Sequence, residues 1–149
     1  MAIDTAAIGR ELEKTSLHVD AGRLRFFAKA IGETNPVFID SEAAAAAGHR
    51  DLPVPPTFLF SVGLESPDSF AFLVELGVDL RTVLHGSQKF TYHAVAHAGD
   101  DLTVTARIAD IYEKKAGLLQ FIVLRSLVHD QEGTLVAELE NVYIVRNAA

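Results

Sequence analysis

Thr57-Phe58-Leu59-Phe60-Ser61-Val62-Gly63-Leu64 is apolar nearly all round, and a helix without a polar stripe has to be buried. Asp51-Leu52-Pro53-Val54-Pro55-Pro56 precedes it and cannot be helical inside, so an extended loop delivers the chain into this segment. From Arg81 onward the chain offers the material to surround it. Leu84–Tyr92, Leu102–Glu113, Leu118–His129 and Leu135–Val145 are long, rich in β-branched or aromatic residues and partly alternating. Gly117 and Asp130-Gln131-Glu132-Gly133 separate them at the spacing of antiparallel hairpins. The expected fold class is α+β, a meander of antiparallel strands wrapped around one central helix.

The first half reads as shorter helices. Asp20 is an N-cap candidate, and Leu24, Phe27, Ala28 and Ile31 follow at i, i+3, i+4, i+7 before Gly32 ends the run. Asp40-Ser41-Glu42 starts an alanine-rich turn or two that stops at Gly48, and an amphipathic stretch covers Ser69 to Leu76. At 149 residues with no repeat or linker, a single domain over 1–149 is expected, large enough to bury a core without staples.

Several classes fall away. A net charge of −7 is wrong for a nucleic-acid binder, which presents a basic face. With no cysteine there is neither a disulfide nor a thiolate metal site. Neither Gly-x-Gly-x-x-Gly nor a phosphate-binding loop occurs, and no metal and no cofactor is expected. The start lacks the basic-then-apolar order of a signal peptide, and no apolar run is long enough to span a bilayer. A cytoplasmic protein free of the membrane is the expectation. A polyanionic small partner would need a few cations at a pocket mouth, for which Lys89, Arg107, Lys114, Lys115 and Arg125 are available.

Ile31-Gly32-Glu33-Thr34-Asn35-Pro36-Val37-Phe38-Ile39-Asp40 places a carboxylate where the backbone bends, a position suited to a general base in a cleft. This segment resembles the motif of the MaoC-like dehydratases and (R)-specific enoyl-CoA hydratases, roughly Ser-Gly-Asp-x-Asn-Pro-x-His. Two further stretches are similar to the same family in the same order. Gly48-His49-Arg50-Asp51-Leu52-Pro53-Val54-Pro55-Pro56-Thr57-Phe58 looks like its loop into the central helix. Gln88-Lys89-Phe90-Thr91-Tyr92-His93 through Ala98-Gly99-Asp100-Asp101-Leu102 looks like its strand and Gly-Asp turn. The likeness is strongest to the N-terminal, fatty-acid-synthase-like single-hot-dog type. It implies a hot-dog fold, a homodimer or a heterodimer with another MaoC-like protein, and an acyl thioester of coenzyme A or acyl carrier protein as substrate.

The departures are specific. Glu33 stands for the motif's Asp, and Phe38 stands where its His would be. Reversible hydration of a trans-2-enoyl thioester needs a base for the water, an acid for Cα and oxyanion stabilisation. The resemblance makes Glu33 the candidate water-handling carboxylate. His85, at the start of the strand beside the central helix, is the candidate second acid/base group, with His49 next. His93 and His97 alternate with sheet residues and are expected to face solvent; His18 and His129 lie at element ends. Pro56 has no N–H where the family uses one to polarise the thioester carbonyl, so Thr57 is the candidate donor at the positive end of the helix. Asn35 is a candidate for substrate contact or for fixing the turn. Phe58, Phe60, Val62 and Phe90 are candidate walls for an acyl chain. The leading expectation is an acyl-thioester hydratase or dehydratase. The alternatives are a non-catalytic acyl-binding subunit beside a complete sister, and a thioesterase on the same fold.

Overall fold

The computed structural model describes residues 2–147; Met1, Ala148 and Ala149, the ends of the expected domain, lie outside the described residues. Five antiparallel strands form one sheet in the order β1-β3-β4-β5-β2: β1 Thr15–His18, β2 Val83–Tyr92, β3 Asp101–Lys114, β4 Leu119–His129 and β5 Leu135–Arg146. The four long strands fall where the sequence places them, within about two residues at each end. β1 was not foreseen. It is only four residues long, Thr-Ser-Leu-His, and pairs from Thr15↔Val104 to His18↔Asp101. Just before it, Gly9 and Leu12 N–H groups donate to Ile108 and Ala106 carbonyls at 2.8 Å each, so the N-terminal segment covers the rest of the β3 edge.

At the opposite edge, β2 pairs only with β5, and most of its residues are exposed. Its register slips between His85 and Ser87, at Gly86. A Cβ on Gly86 would sit 2.7 Å from Ile144 Cδ1 and 3.1 Å from the Val142 carbonyl, so the close approach of β2 to β5 requires glycine there.

The sheet curls over the apolar segment, which forms a helix over Pro56–Glu65 wound as a 3-10 helix rather than the expected α-helix. Thr, Phe, Ser, Val and Gly in this run have weak α-helical propensity, so packing is free to tighten the winding. Three residues per turn set Leu59 and Val62 on one edge. With Phe58 they are buried against Leu102, Val104, Val128, Val136 and Leu139 of the sheet. Enclosure is incomplete: Phe60 is half-buried and Leu64 is exposed. A second apolar cluster lies further along the same sheet. There α3 (Ala71–Glu75) sets Phe72 and Leu73 on Ile108, Ile122, Leu124 and Val145. The antiparallel half-barrel around one helix is the hot-dog arrangement.

α1 (Ala21–Ala30) is capped as expected, with Asp20 accepting from the Arg23 N–H at 3.1 Å. Leu24 and Ala28 are buried and Phe27 half-buried, but Ile31 is the C-cap and exposed, so the apolar face ends one turn early. α2 (Ser41–Ala46) starts on Asp40 and is followed by Gly48 in the left-handed region. No helix among the described residues is long and apolar enough to cross a membrane.

Candidate active site

The bend after α1 is built from its own residues. Gly32, at φ 71°, reverses the chain so that its N–H reaches the Lys29 carbonyl and the Glu33 N–H reaches the Ala28 carbonyl, at 3.2 and 2.9 Å. Thr34 and Asn35 N–H groups then both donate to Glu33 Oε1, at 2.9 and 2.8 Å. Asn35 Oδ1 in turn accepts from the Val37 N–H at 3.1 Å and caps the single turn Pro36–Phe38. One oxygen of the carboxylate is therefore spent on the turn, while Oε2 accepts no hydrogen bond among the described residues. Asn35 fixes the turn, and Phe38 is half-buried beside it.

His85 lies on the inward side of β2, opposite Tyr143 of β5. Its exposed ring is stacked between Phe60 and Tyr143, with centroids 5.5 and 5.8 Å away. Thr57 is exposed in the first turn of the central helix, ahead of the first internal bond, which the Phe58 N–H makes to the Pro55 carbonyl at 2.9 Å. Its own N–H thus points out of the helix end. Phe58 is core, edge-on to Phe27 at 5.3 Å, and Phe90 packs on that core and stacks on Tyr92 at 5.7 Å.

Between the sheet and the central helix lies a cavity of about 360 Å³. Its walls include Leu59, Phe60, Phe72, Val104, Leu124 and Leu139, with Ser126, Asn141 and Tyr143 on the sheet side. Of the expected wall residues Phe60 lines it, while Phe58, Val62 and Phe90 do not; Glu33 and His85 are not among its lining residues either. Burial pushes the Tyr143 phenol up, against the hydrogen bond from Asn141, so it stays a neutral hydroxyl at physiological pH. Arg10, Glu11, Glu13, Asp68 and Glu75 rim the cavity, with Arg10 ion-paired to Glu75 at 2.7 Å. That rim is acidic, and the expected cations are elsewhere. Lys89, Arg107 and Arg125 join Lys14 in a groove on the outer face of the sheet, and Lys114 lies over the Tyr112 and Phe121 rings.

A polar cluster escaped the sequence reading. Asp100, 1% exposed, receives the Arg50 guanidinium, the His97 N–H at 2.8 Å and the Gln131 amide at 3.0 Å. His97 does not face solvent on a strand, because β2 ends at Tyr92 and the chain turns to bridge Pro53. Its ring is half-buried, with Nε2 3.0 Å from His49 Nδ1, one ring donating to the other, and a buried Nδ1 that has no partner. The cluster ties the loop entering the central helix to the Gly-Asp turn and to the β4–β5 turn. The available signal was Gly99-Asp100 after a His, a turn pattern, but nothing local pairs it with His49 and Arg50.

Burial, then the Arg50 and His49 charges, hold His97 below the usual imidazole range, only partly opposed by Asp100 and Asp51. A histidine depressed in the folded state favours folding as the neutral ring, so its contribution is whole above the unfolded pKa of about 6.5. It is lost as pH falls from there towards the folded value. We expect the Tm to drop between neutral pH and about pH 5, and His97→Gln to flatten that slope. Identical slopes for the two proteins in thermal melts across pH would refute this.

Residues 6–139 match the family model described as FAS1-like, dehydratase domain region. A UPF0336 protein of Streptomyces griseus is 38% identical over 149 residues, covering 99% of this chain and 98% of its own. Among solved structures, a MaoC-like dehydratase superposes with a TM-score of 0.82 at 24% identity over 96% of this chain. The chain spans only 43% of that protein's length. The truncated HadBC (3R-hydroxyacyl-ACP dehydratase) complex of Mycobacterium tuberculosis superposes with a TM-score of 0.72 at 27% identity, covering 91% of this chain and 96% of that one. The chain belongs to the FAS1-like dehydratase-region family and has the MaoC-like hot-dog fold.

Proposed function

We propose that this protein is the acyl-binding subunit of a two-subunit hydro-lyase that interconverts trans-2-enoyl and 3-hydroxyacyl thioesters. The observation that carries the reading is at the motif. Glu33 commits a carboxylate oxygen to two backbone N–H groups of its own turn, and Phe38, which cannot move a proton, fills the histidine position. Water addition needs a paired base and acid, so the sister subunit supplies that pair. The exposed β2 edge is where the sister docks, since an open edge of this length is normally paired or covered. The heteromeric HadBC complex is the corresponding assembly among the neighbours. This chain contributes the cavity under Phe60 for the acyl group and the outward Thr57 N–H for the thioester carbonyl. The acidic cavity rim keeps the phosphates of the coenzyme A or carrier-protein arm on the sister's side.

A second reading, that the chain hydrates alone, has two observations in its favour: Glu33 Oε2 accepts no hydrogen bond among the described residues, and His85 is exposed on β2. Following loss of crotonyl-CoA enoyl absorbance decides between them. The purified chain alone is expected to be inactive, and activity is expected to appear when a MaoC-like protein with an intact Asp/His motif is added. Full turnover by the chain alone would overturn the two-subunit reading.

A further inference from the structure

The inner face of a sheet that closes a core is apolar, because burying a polar group without a partner costs free energy. Apart from Gln120 near the start of β4, which accepts from Asn147, that face is broken beside the cavity. Gln88 on β2 stands directly opposite Asn141 on β5, and Tyr143 follows two residues later on the same face. Ser126 on β4, opposite Leu139, brings a hydroxyl alongside. Ser126, Asn141 and Tyr143 are each only 8% exposed, and all three line the cavity whose other walls are Leu59, Phe60 and Leu124. Beside them the Oε1 atom of Gln88 is buried with no hydrogen-bond donor. An empty alkyl-chain tunnel has no use for this arrangement, and each such group left unmatched by its ligand would weaken binding.

We propose that this cavity is built for an acyl group bearing, beyond the C3 hydroxyl of the hydrated product, a second oxygen further along its chain, a hydroxyl or a ketone, rather than for a plain alkyl chain. The inference rests on the acyl-binding reading above and narrows its substrate class. Tyr143 takes a hydrogen bond from Asn141 and keeps its own O–H to donate, Ser126 offers a hydroxyl able to donate or accept, and the Asn141 carbonyl oxygen accepts. The apolar walls hold the methylenes on either side, the usual division of labour in a small-molecule pocket of this size.

Calorimetric titration of the full chain, alone and with its sister, uses dodecanoyl-CoA and a set of its mid-chain hydroxy isomers as probes. At least one isomer is expected to bind about tenfold more tightly than the plain chain, because a site built to bond a hydroxyl discriminates against its absence. Tyr143→Phe, which removes one oxygen and keeps the ring, is expected to bring that ratio close to one. Asn141→Leu is expected to do the same, and Tyr143→Phe alone decides the matter should the leucine variant not fold. If dodecanoyl-CoA binds as tightly as every isomer, the polar patch holds only water and the inference fails, while the acyl-binding reading stands. If no acyl probe binds in either setting, both fail together.

Discussion

Asp100→Ala lowers the stability of this protein by about 2–4 kcal/mol, the cost of leaving the His97 N–H and the Gln131 amide without their acceptor. The carboxylate is 1% exposed and gathers Arg50, the His97 N–H and the Gln131 amide from three separate loops. Burial alone would raise its pKa, yet those hydrogen bonds and the Arg50 charge together hold it below the ordinary value. Its stabilising effect is therefore complete above about pH 4 and lost as pH falls further. Without it, the loop that feeds the central helix loses its anchor. Arg50→Ala is expected to cost a similar amount, about 3 kcal/mol, because it leaves the buried Asp100 carboxylate without its charged partner and with only the His97 N–H and the Gln131 amide. Denaturant unfolding of the two variants measures both, and a loss below about 1 kcal/mol for either, the worth of an exposed pair, would show that the network does not hold the loops together.

In the assembled enzyme, replacing the sister's motif histidine lowers kcat by about two to four orders of magnitude, the usual worth of a general acid or base. Glu33→Gln in this chain is expected to leave kcat within about tenfold of the wild type, since an amide oxygen still accepts from the Thr34 and Asn35 N–H groups. His85→Ala likewise loses only stacking on Phe60 and Tyr143. The self-sufficient reading expects the opposite: each substitution abolishes turnover, and the double variant is barely worse than either, as for groups that act as a unit. Steady-state kinetics on the four combinations separates the two outcomes directly.

Much of the fold was legible because its determinants are local. The turn at Gly32, the Asp20 and Asp40 caps and the hairpin at Gly117 each depend on residues a few positions apart. So do the alternation and β-branching that mark β2 to β5. β1 was missed because four residues are too few to show a period, and its strand geometry is imposed by β3. The winding of the central helix was missed because its weak propensity leaves the choice to the sheet around it.

The candidate site divides the same way. The amino-acid sequence by itself determined the helix-then-meander order, the buried central segment and the likeness of the Glu33 turn to a hydratase motif. It also marked Phe38 as a residue unable to move a proton. Only the tertiary structure decided that Asn35 and one Glu33 oxygen serve the turn and that the cations lie on the outer face. It alone joined His49 to His97 and brought Gln88, Ser126, Asn141 and Tyr143 onto one face of the sheet. Those meetings depend on strand register and on the shift at Gly86, and a one-residue slip would turn each side chain to the other face. Register is set by the whole sheet at once, so no local pattern announces it.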